Sequence, residues 1–136
     1  MVPMSSPRIL EELELLRKSY PSLEFVEQGL WIRIPDYPLP QEKQWNRVTT
    51  DVAFQIPVAY PGTPPYGIYV LSGLRCGGVA PDKYQEPAGQ QPPFGGQWAM
   101  FSWSPDDGQW MPSNILTGTN LLNVVHGFAD RFRQGK

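Results

Sequence analysis

A few side chains of this sequence are chemically able to act as nucleophiles or bases. The single cysteine, Cys76, follows Arg75 and precedes Gly77 in what the pattern predicts to be an exposed loop. A neighbouring guanidinium favours the thiolate, which is the reactive form of cysteine. No base is recognisable nearby, so an unreactive thiol is the competing interpretation. The single histidine, His126, lies one residue beyond the apolar face of a predicted helix, which indicates a surface or boundary residue.

An acidic pair, Asp106 and Asp107, could accept a proton or pair with a substrate lysine. Because Gly108 follows directly, the pattern favours a solvated turn instead. The aromatic residues around this pair could line a groove, although such a density of aromatic rings is typical of a core or its edge. These residues are Trp98, Trp103 and Trp110.

Composition limits the kinds of site and partner that these residues could serve. The chain has 136 residues, which predicts a single domain over residues 1–136. Its net charge is −2, and its largest basic cluster is the pair Arg17-Lys18, which argues against nucleic acid as a partner. One cysteine and one histidine do not make a cluster of metal ligands, so we expect no metal and no cofactor.

The features that would direct a chain to a membrane or out of the cell are missing from the sequence. A lone cysteine cannot form an internal disulfide. The first residues lack the basic and apolar regions of a secretion signal, and no run approaches the roughly 18 apolar residues of a membrane span. We therefore expect a soluble, cytoplasmic protein without a membrane partner.

The first element that the pattern predicts is an amphipathic helix over residues 7–19. Ser6 can cap it, and Pro7 suits its first position. Acidic side chains come early and basic ones late, which complements the helix dipole. Its apolar face is formed by residues at helical spacing, namely Ile9, Leu10, Leu13 and Leu16.

Four strands are predicted next, within residues 22–72. Residues 23–27 and 30–34 alternate in polarity around Gln28-Gly29, which is a hairpin signal. Residues 52–56 form the third strand, with Phe54 and Ile56 on its apolar face, and residues 66–72 form the fourth. We therefore predict an α+β fold with a four-stranded antiparallel meander that is buried on one face by a helix.

The remaining segments are a stiff turn, a long loop and a second helix. Four prolines between the third and fourth strands force extended steps there, namely Pro57, Pro61, Pro64 and Pro65. Residues 73–97 predict a long loop that is either functional or disordered. Thr117 or Thr119 can cap a final helix over residues 119–133, which packs on the sheet through Leu121, Val125, Phe128 and Phe132.

This order of elements resembles the ubiquitin-conjugating (UBC) fold over nearly the whole chain. Two motifs carry the resemblance, a Tyr-Pro-x-x-Pro-Pro turn after the third strand and a Trp-x-Pro element ahead of the last helix. They correspond to Tyr60, Pro61, Pro64 and Pro65, and to Trp110 and Pro112. In detail the chain is most similar to the prokaryotic E2 family E, bacterial UBC-like proteins associated with ubiquitin-like conjugation genes.

The resemblance also implies where the acceptor cysteine of a conjugating enzyme would stand. That cysteine lies eight residues before the family's tryptophan, and the matching position before Trp110 is Ser102. The family's His-Pro-Asn triplet would fall about ten residues after Pro65, where the sequence has Cys76 and its neighbours instead. A serine alkoxide is a far poorer acyl acceptor and leaving group than a thiolate, so acyl transfer at Ser102 is not expected.

Three functions follow, and we rank them in the order given. The resemblance first implies a non-catalytic, E2-like component of a bacterial ubiquitin-like conjugation pathway, which binds the ubiquitin-like protein or its activating enzyme. The alternative is an active conjugating enzyme that uses Cys76 as its thioester nucleophile, which requires Cys76 to lie within a few ångströms of Ser102. The third is an interaction module of the related RWD type without a ubiquitin-like partner.

Overall fold

The computed structural model describes residues 7–57, 65–102 and 121–134, and these form two helices and one antiparallel sheet. The α+β prediction is therefore confirmed. The sheet has six strands in the order β1-β2-β3-β4-β6-β5. In chain order the elements are α1 (Pro7–Ser19), β1 (Glu24–Val26), β2 (Trp31–Pro38), a 3-10 turn (Gln41–Lys43), β3 (Thr49–Gln55), β4 (Ile68–Leu71), β5 (Tyr84–Gln85), β6 (Trp98–Phe101) and α2 (Leu121–Gln134).

Helix α1 has the bounds that the sequence predicts, but its buried stripe is narrower than the predicted apolar face. Ile9, Leu13 and Leu16 are buried, and Glu12 shares their face. Leu10 is 50 % exposed, so its place on the apolar face was wrongly predicted. The reason is geometric, since consecutive residues of a helix lie about 100° apart and Leu10 is rotated away from the stripe that its neighbours form.

The first four strands pair in sequence order, as the meander predicts, but the strand count of four is wrong. Strand β6 pairs antiparallel with β4 on one side and with β5 on the other. Strand β5 lies within residues 73–97, which were predicted to be a loop, and β6 follows that segment directly. Tyr84–Gln85 is too short to show the period-2 alternation that identifies a strand in a sequence.

Strand β2 continues past the predicted end at Ile34 as far as Pro38. Residues 35–38 contain Pro35 and Pro38, which are typical of a connection rather than of a strand interior. The strand pairing shifts between Ile34 and Tyr37, and Asp36 has a φ of 57° at this irregularity. Such a bulge leaves a residue out of the ladder, so Pro35 costs no ladder hydrogen bond there.

The main core lies between the sheet and the two helices. The five residues predicted to share it are all buried in one cluster, namely Leu13, Leu16, Phe54, Ile56 and Phe128. The rings of Phe54 and Phe128 meet edge to face with centroids 5.6 Å apart. This contact packs α2 on the sheet, and the predicted position of the C-terminal helix is thereby confirmed.

Buried hydrogen bonds hold α2 in place. The Leu121 amide at its first turn donates to Glu12 Oε1 of α1 at 2.7 Å. The Tyr37 hydroxyl donates to the Val125 carbonyl at 2.7 Å. A carboxylate at a helix N-terminus satisfies an amide that has no partner within the helix and complements the dipole. Helix α2 is therefore oriented by both α1 and β2.

A second, smaller apolar cluster lies on the opposite face of the sheet, which we call the outer face. Its buried members on the strands alternate with residues of the main core, and Ala88 joins them from the segment between β5 and β6. They are Trp31, Ala53, Tyr69, Ala88 and Trp98. The sequence predicted burial of one face, and the structure buries part of both.

Candidate functional site

Cys76, the candidate nucleophile, is enclosed at a junction of two connections. Its backbone forms isolated bridges with Trp45 and Val79, and its amide donates to the Val79 carbonyl at 2.9 Å. The side chain is only 5 % exposed, and Sγ donates to the Lys43 carbonyl at 2.8 Å. The prediction of an exposed loop was therefore wrong. The short bridges between connections, which bury the thiol, leave no periodic signal in the sequence.

The expected cation beside Cys76 is engaged elsewhere. The Arg75 guanidinium donates to Glu86 Oε1 at 2.7 Å and lies 5.8 Å from the centre of the Tyr84 ring. A different guanidinium, that of Arg131 on α2, lies nearby across the fold. Burial lowers the pKa of Arg131, and the nearby Asp82 and Cys76 act in the opposite direction. Nothing in the spacing of the sequence indicated that Arg131 lies near Cys76 in the fold.

The Arg131 guanidinium is buried and contacts an aromatic ring and a backbone carbonyl. Its guanidinium carbon lies 4.5 Å from the centre of the Phe101 ring, and it donates to the Asp82 carbonyl at 2.7 Å. A buried guanidinium with an aromatic face and a carbonyl acceptor is well compensated for its loss of water. Arg131 therefore links α2 to the loop before β5 and has no vacant face that we can assign to a substrate.

Ser102 lies directly after β6 and is exposed. Its amide donates to the Lys83 carbonyl at 2.9 Å, which continues the pairing between β5 and β6 by one residue. Just before β4, Pro65 is buried and Tyr66 is 58 % exposed. The hydrogen bonds of Cys76 are with Lys43 and Val79, so they do not tie it to Ser102.

Several predicted positions lie outside the described residues. They are Tyr60, Pro61 and Pro64 of the turn, Trp110 and Pro112 of the second motif, the pair Asp106 and Asp107, and Trp103. Of the candidates that are described, His126 is exposed on α2, as predicted. Trp98 is fully buried in the outer-face cluster, which supports the core interpretation of this aromatic residue. In the described ranges, no three His, Cys, Asp or Glu residues are grouped so that they could hold a metal ion.

Glu86 is a polar group with several partners that the sequence did not reveal. Its carboxylate accepts hydrogen bonds from the Arg75 guanidinium, the Gly73 amide and the Tyr84 hydroxyl. The Arg75 contact, followed by the Gly73 amide, lowers the pKa of Glu86 to about 2. Burial first, and then Glu86, raises the pKa of Tyr84 to about 12. The carboxylate is therefore held in its charged form.

Glu86 begins residues 86–97, which we call the cover segment because it lies against the outer-face cluster. The Ala88 amide donates to the Trp98 carbonyl at 2.9 Å, and the Phe94 ring meets the Trp98 ring at 6.2 Å. The Gln91 amide group accepts from the Trp98 amide at 2.9 Å and donates to the Trp98 carbonyl at 3.0 Å. Gln91 thus pairs with β6 as a neighbouring strand would.

In the described residues, these polar contacts tie the connections of the chain to the sheet. The one thiol is enclosed, the adjacent guanidinium is paired, and Ser102 is exposed. Among the described residues, neither helix is both long enough and apolar enough to cross a membrane. The chain matches no family model, and the comparisons with curated proteins and with solved structures give no match either.

Proposed function

We propose that this chain is a UBC-like binding module of a bacterial ubiquitin-like conjugation pathway and that it forms no thioester. Support for the architecture comes from α1, the four consecutive antiparallel strands and a final helix on the same sheet. The motif residues Pro65 and Ser102 flank the paired strands β4 and β6. The two additional strands, β5 and β6, depart from the four-stranded meander that the resemblance implies.

One observation carries the non-catalytic part of the proposal, and it is the enclosure of Cys76. A transfer reaction needs a thiolate that an incoming acyl group can reach. This thiol is 5 % exposed, and its S–H donates a hydrogen bond to the Lys43 carbonyl. A carbonyl is a neutral acceptor that does not remove the proton. The alternative enzyme with Cys76 as nucleophile would require this junction to open before each transfer.

Binding can be tested directly with a bacterial ubiquitin-like protein and an E1-like activating enzyme, each titrated into the chain by calorimetry without ATP. We expect saturable binding of at least one of them, with the same affinity for the Cys76→Ser variant. Binding that is lost in Cys76→Ser, while the variant stays folded by circular dichroism, would contradict a non-catalytic module. Absence of binding to both proteins would favour the RWD-type interaction module.

A further inference from the structure

The cover segment buries little of its own surface. Among residues 86–97, Ala88 and Pro92 are buried and Phe94 is half-buried, whereas the others are exposed. Local stability follows the number of buried apolar contacts and the shielding of backbone hydrogen bonds from water. By this measure the cover segment is far less stable than the strands that it lies against, where Val70 and Ala99 are fully buried.

The ties between the cover segment and the sheet are polar along most of its length. Gln91 pairs with the backbone of Trp98 through its side chain, and the Ala88 amide donates to the Trp98 carbonyl at 2.9 Å. Neutral hydrogen bonds of this kind exchange for bonds with water at a small net cost. They can therefore break without disturbing the pairing of β6 with β4.

The strongest tie lies at the first residue of the cover segment. Glu86 accepts from the backbone of Gly73, from Tyr84 of β5 and from the charged Arg75. Hydrogen bonds to an ionised group are roughly twice as strong as neutral ones. All three donors precede the cover segment in the chain, so the carboxylate fastens it to the end of β4 and to β5.

We propose that the cover segment is a lid that opens by local unfolding while the six-stranded sheet stays folded, and that Glu86 is its latch. In the closed state the chain's own Ala88 and Phe94 occupy the surface beside Trp98. Opening uncovers the Trp98 indole and the backbone groups of β6 that Gln91 otherwise pairs. Access to this part of the outer face is therefore controlled by a carboxylate and its three donors.

Native-state hydrogen exchange followed by NMR tests the lid on the full chain. The Ala88 and Trp98 amides report on the lid, and the Val70 amide in the sheet centre reports on global unfolding. We expect the lid amides to exchange at least about tenfold faster than Val70, with little dependence on low denaturant concentration. In Glu86→Gln, which keeps the shape but removes the charge, lid exchange should rise a further severalfold to about tenfold while Val70 exchange changes little.

The matched control is Glu42→Gln, the same chemical change at an exposed carboxylate of the 3-10 turn. It should leave lid exchange unchanged. The proposal is overturned if the wild-type lid amides exchange as slowly as Val70 and share its denaturant dependence, because the segment would then open only with the whole molecule. It is equally overturned if Glu86→Gln accelerates Val70 and the lid amides by the same factor. Mass spectrometry of peptides spanning 86–97 gives the same comparison if single amides exchange too fast for NMR.

Discussion

At the scale of single residues, Cys76 and Arg75 form an apparent pair in the sequence, but each binds a different partner in the fold. Cys76 and Arg75 are neighbours in sequence, yet the thiol bonds to Lys43 and the guanidinium bonds to Glu86. Side chains of consecutive residues in an extended segment point in opposite directions, so adjacency in sequence does not produce contact. Reactivity arguments based on a sequence neighbour fail here for this reason.

The enclosure of Cys76 predicts slow chemical modification of the native protein. An aromatic disulfide reagent should react with native Cys76 at least about a hundredfold more slowly than with the unfolded chain, because the thiol must first be exposed by an opening of the structure. The rate is read from the absorbance of the released thiol. As a control, Ser102→Cys in a Cys76→Ser background places a thiol at an exposed position and should react quickly. Equal rates for the two thiols would contradict the enclosed geometry.

Glu86 predicts a specific dependence of stability on pH. Its pKa falls from an ordinary 4.5 to about 2 on folding, so its stabilising contribution is complete above pH 4.5 and is lost as the pH falls towards 2. Arg75 stays charged and Tyr84 stays neutral over this range. Urea unfolding should therefore show a steeper acid loss for the wild type than for Glu86→Gln. Glu42→Gln should follow the wild type, and identical acid profiles for Glu86→Gln and the wild type would contradict the assigned contacts.

At the scale of elements, the helices are bound to the sheet by narrow apolar stripes. Helix α1 contributes Leu16, which is fully buried, whereas Leu10 on the same helix is 50 % exposed. The two leucines therefore form an internal comparison within one element. They have the same side chain and similar helix propensity effects, so burial is the main difference between them.

Truncation of these two leucines should have very different effects on stability. Leu16→Ala removes a fully buried side chain and should lower the free energy of unfolding by about 2–5 kcal/mol. Leu10→Ala should change it by less than about 0.5 kcal/mol, since surface substitutions rarely do more. Chemical denaturation of both variants provides the measurement. A loss at Leu10 as large as that at Leu16 would mean that α1 packs on a different face.

Elements with strong periodicity were predictable, and short or irregular ones were not. The bounds of α1 and the inward-facing Phe54 follow from hydrophobic spacing, because burial of one face imposes that spacing. Strand β5 has two residues, and β2 contains prolines at a bulge, so neither carries a clean pattern. The ties of Glu86 join residues that are brought together only by the pairing of β4, β6 and β5, which local sequence does not specify.

At the scale of the whole molecule, one sheet separates two apolar layers that differ in size and in what covers them. The inner layer is a large core covered by both helices, and it is closed by buried bonds such as that of Glu12 to the first turn of α2. The outer layer is small and is covered by a segment with mostly polar ties. The molecule therefore combines a large, helix-covered core with a smaller outer layer that is held mostly by polar contacts.

The central claim, that the chain forms no thioester, is tested most directly by intact-mass measurement after incubation with an E1-like activating enzyme, ATP and its ubiquitin-like protein. We predict an unchanged mass, because the one thiol is enclosed and a serine at position 102 is a poor acyl acceptor. Ser102→Ala and Cys76→Ser should give the same unchanged result. An adduct of the ubiquitin-like protein that thiol reagents release, and that disappears in Cys76→Ser but not in Ser102→Ala, would contradict the claim.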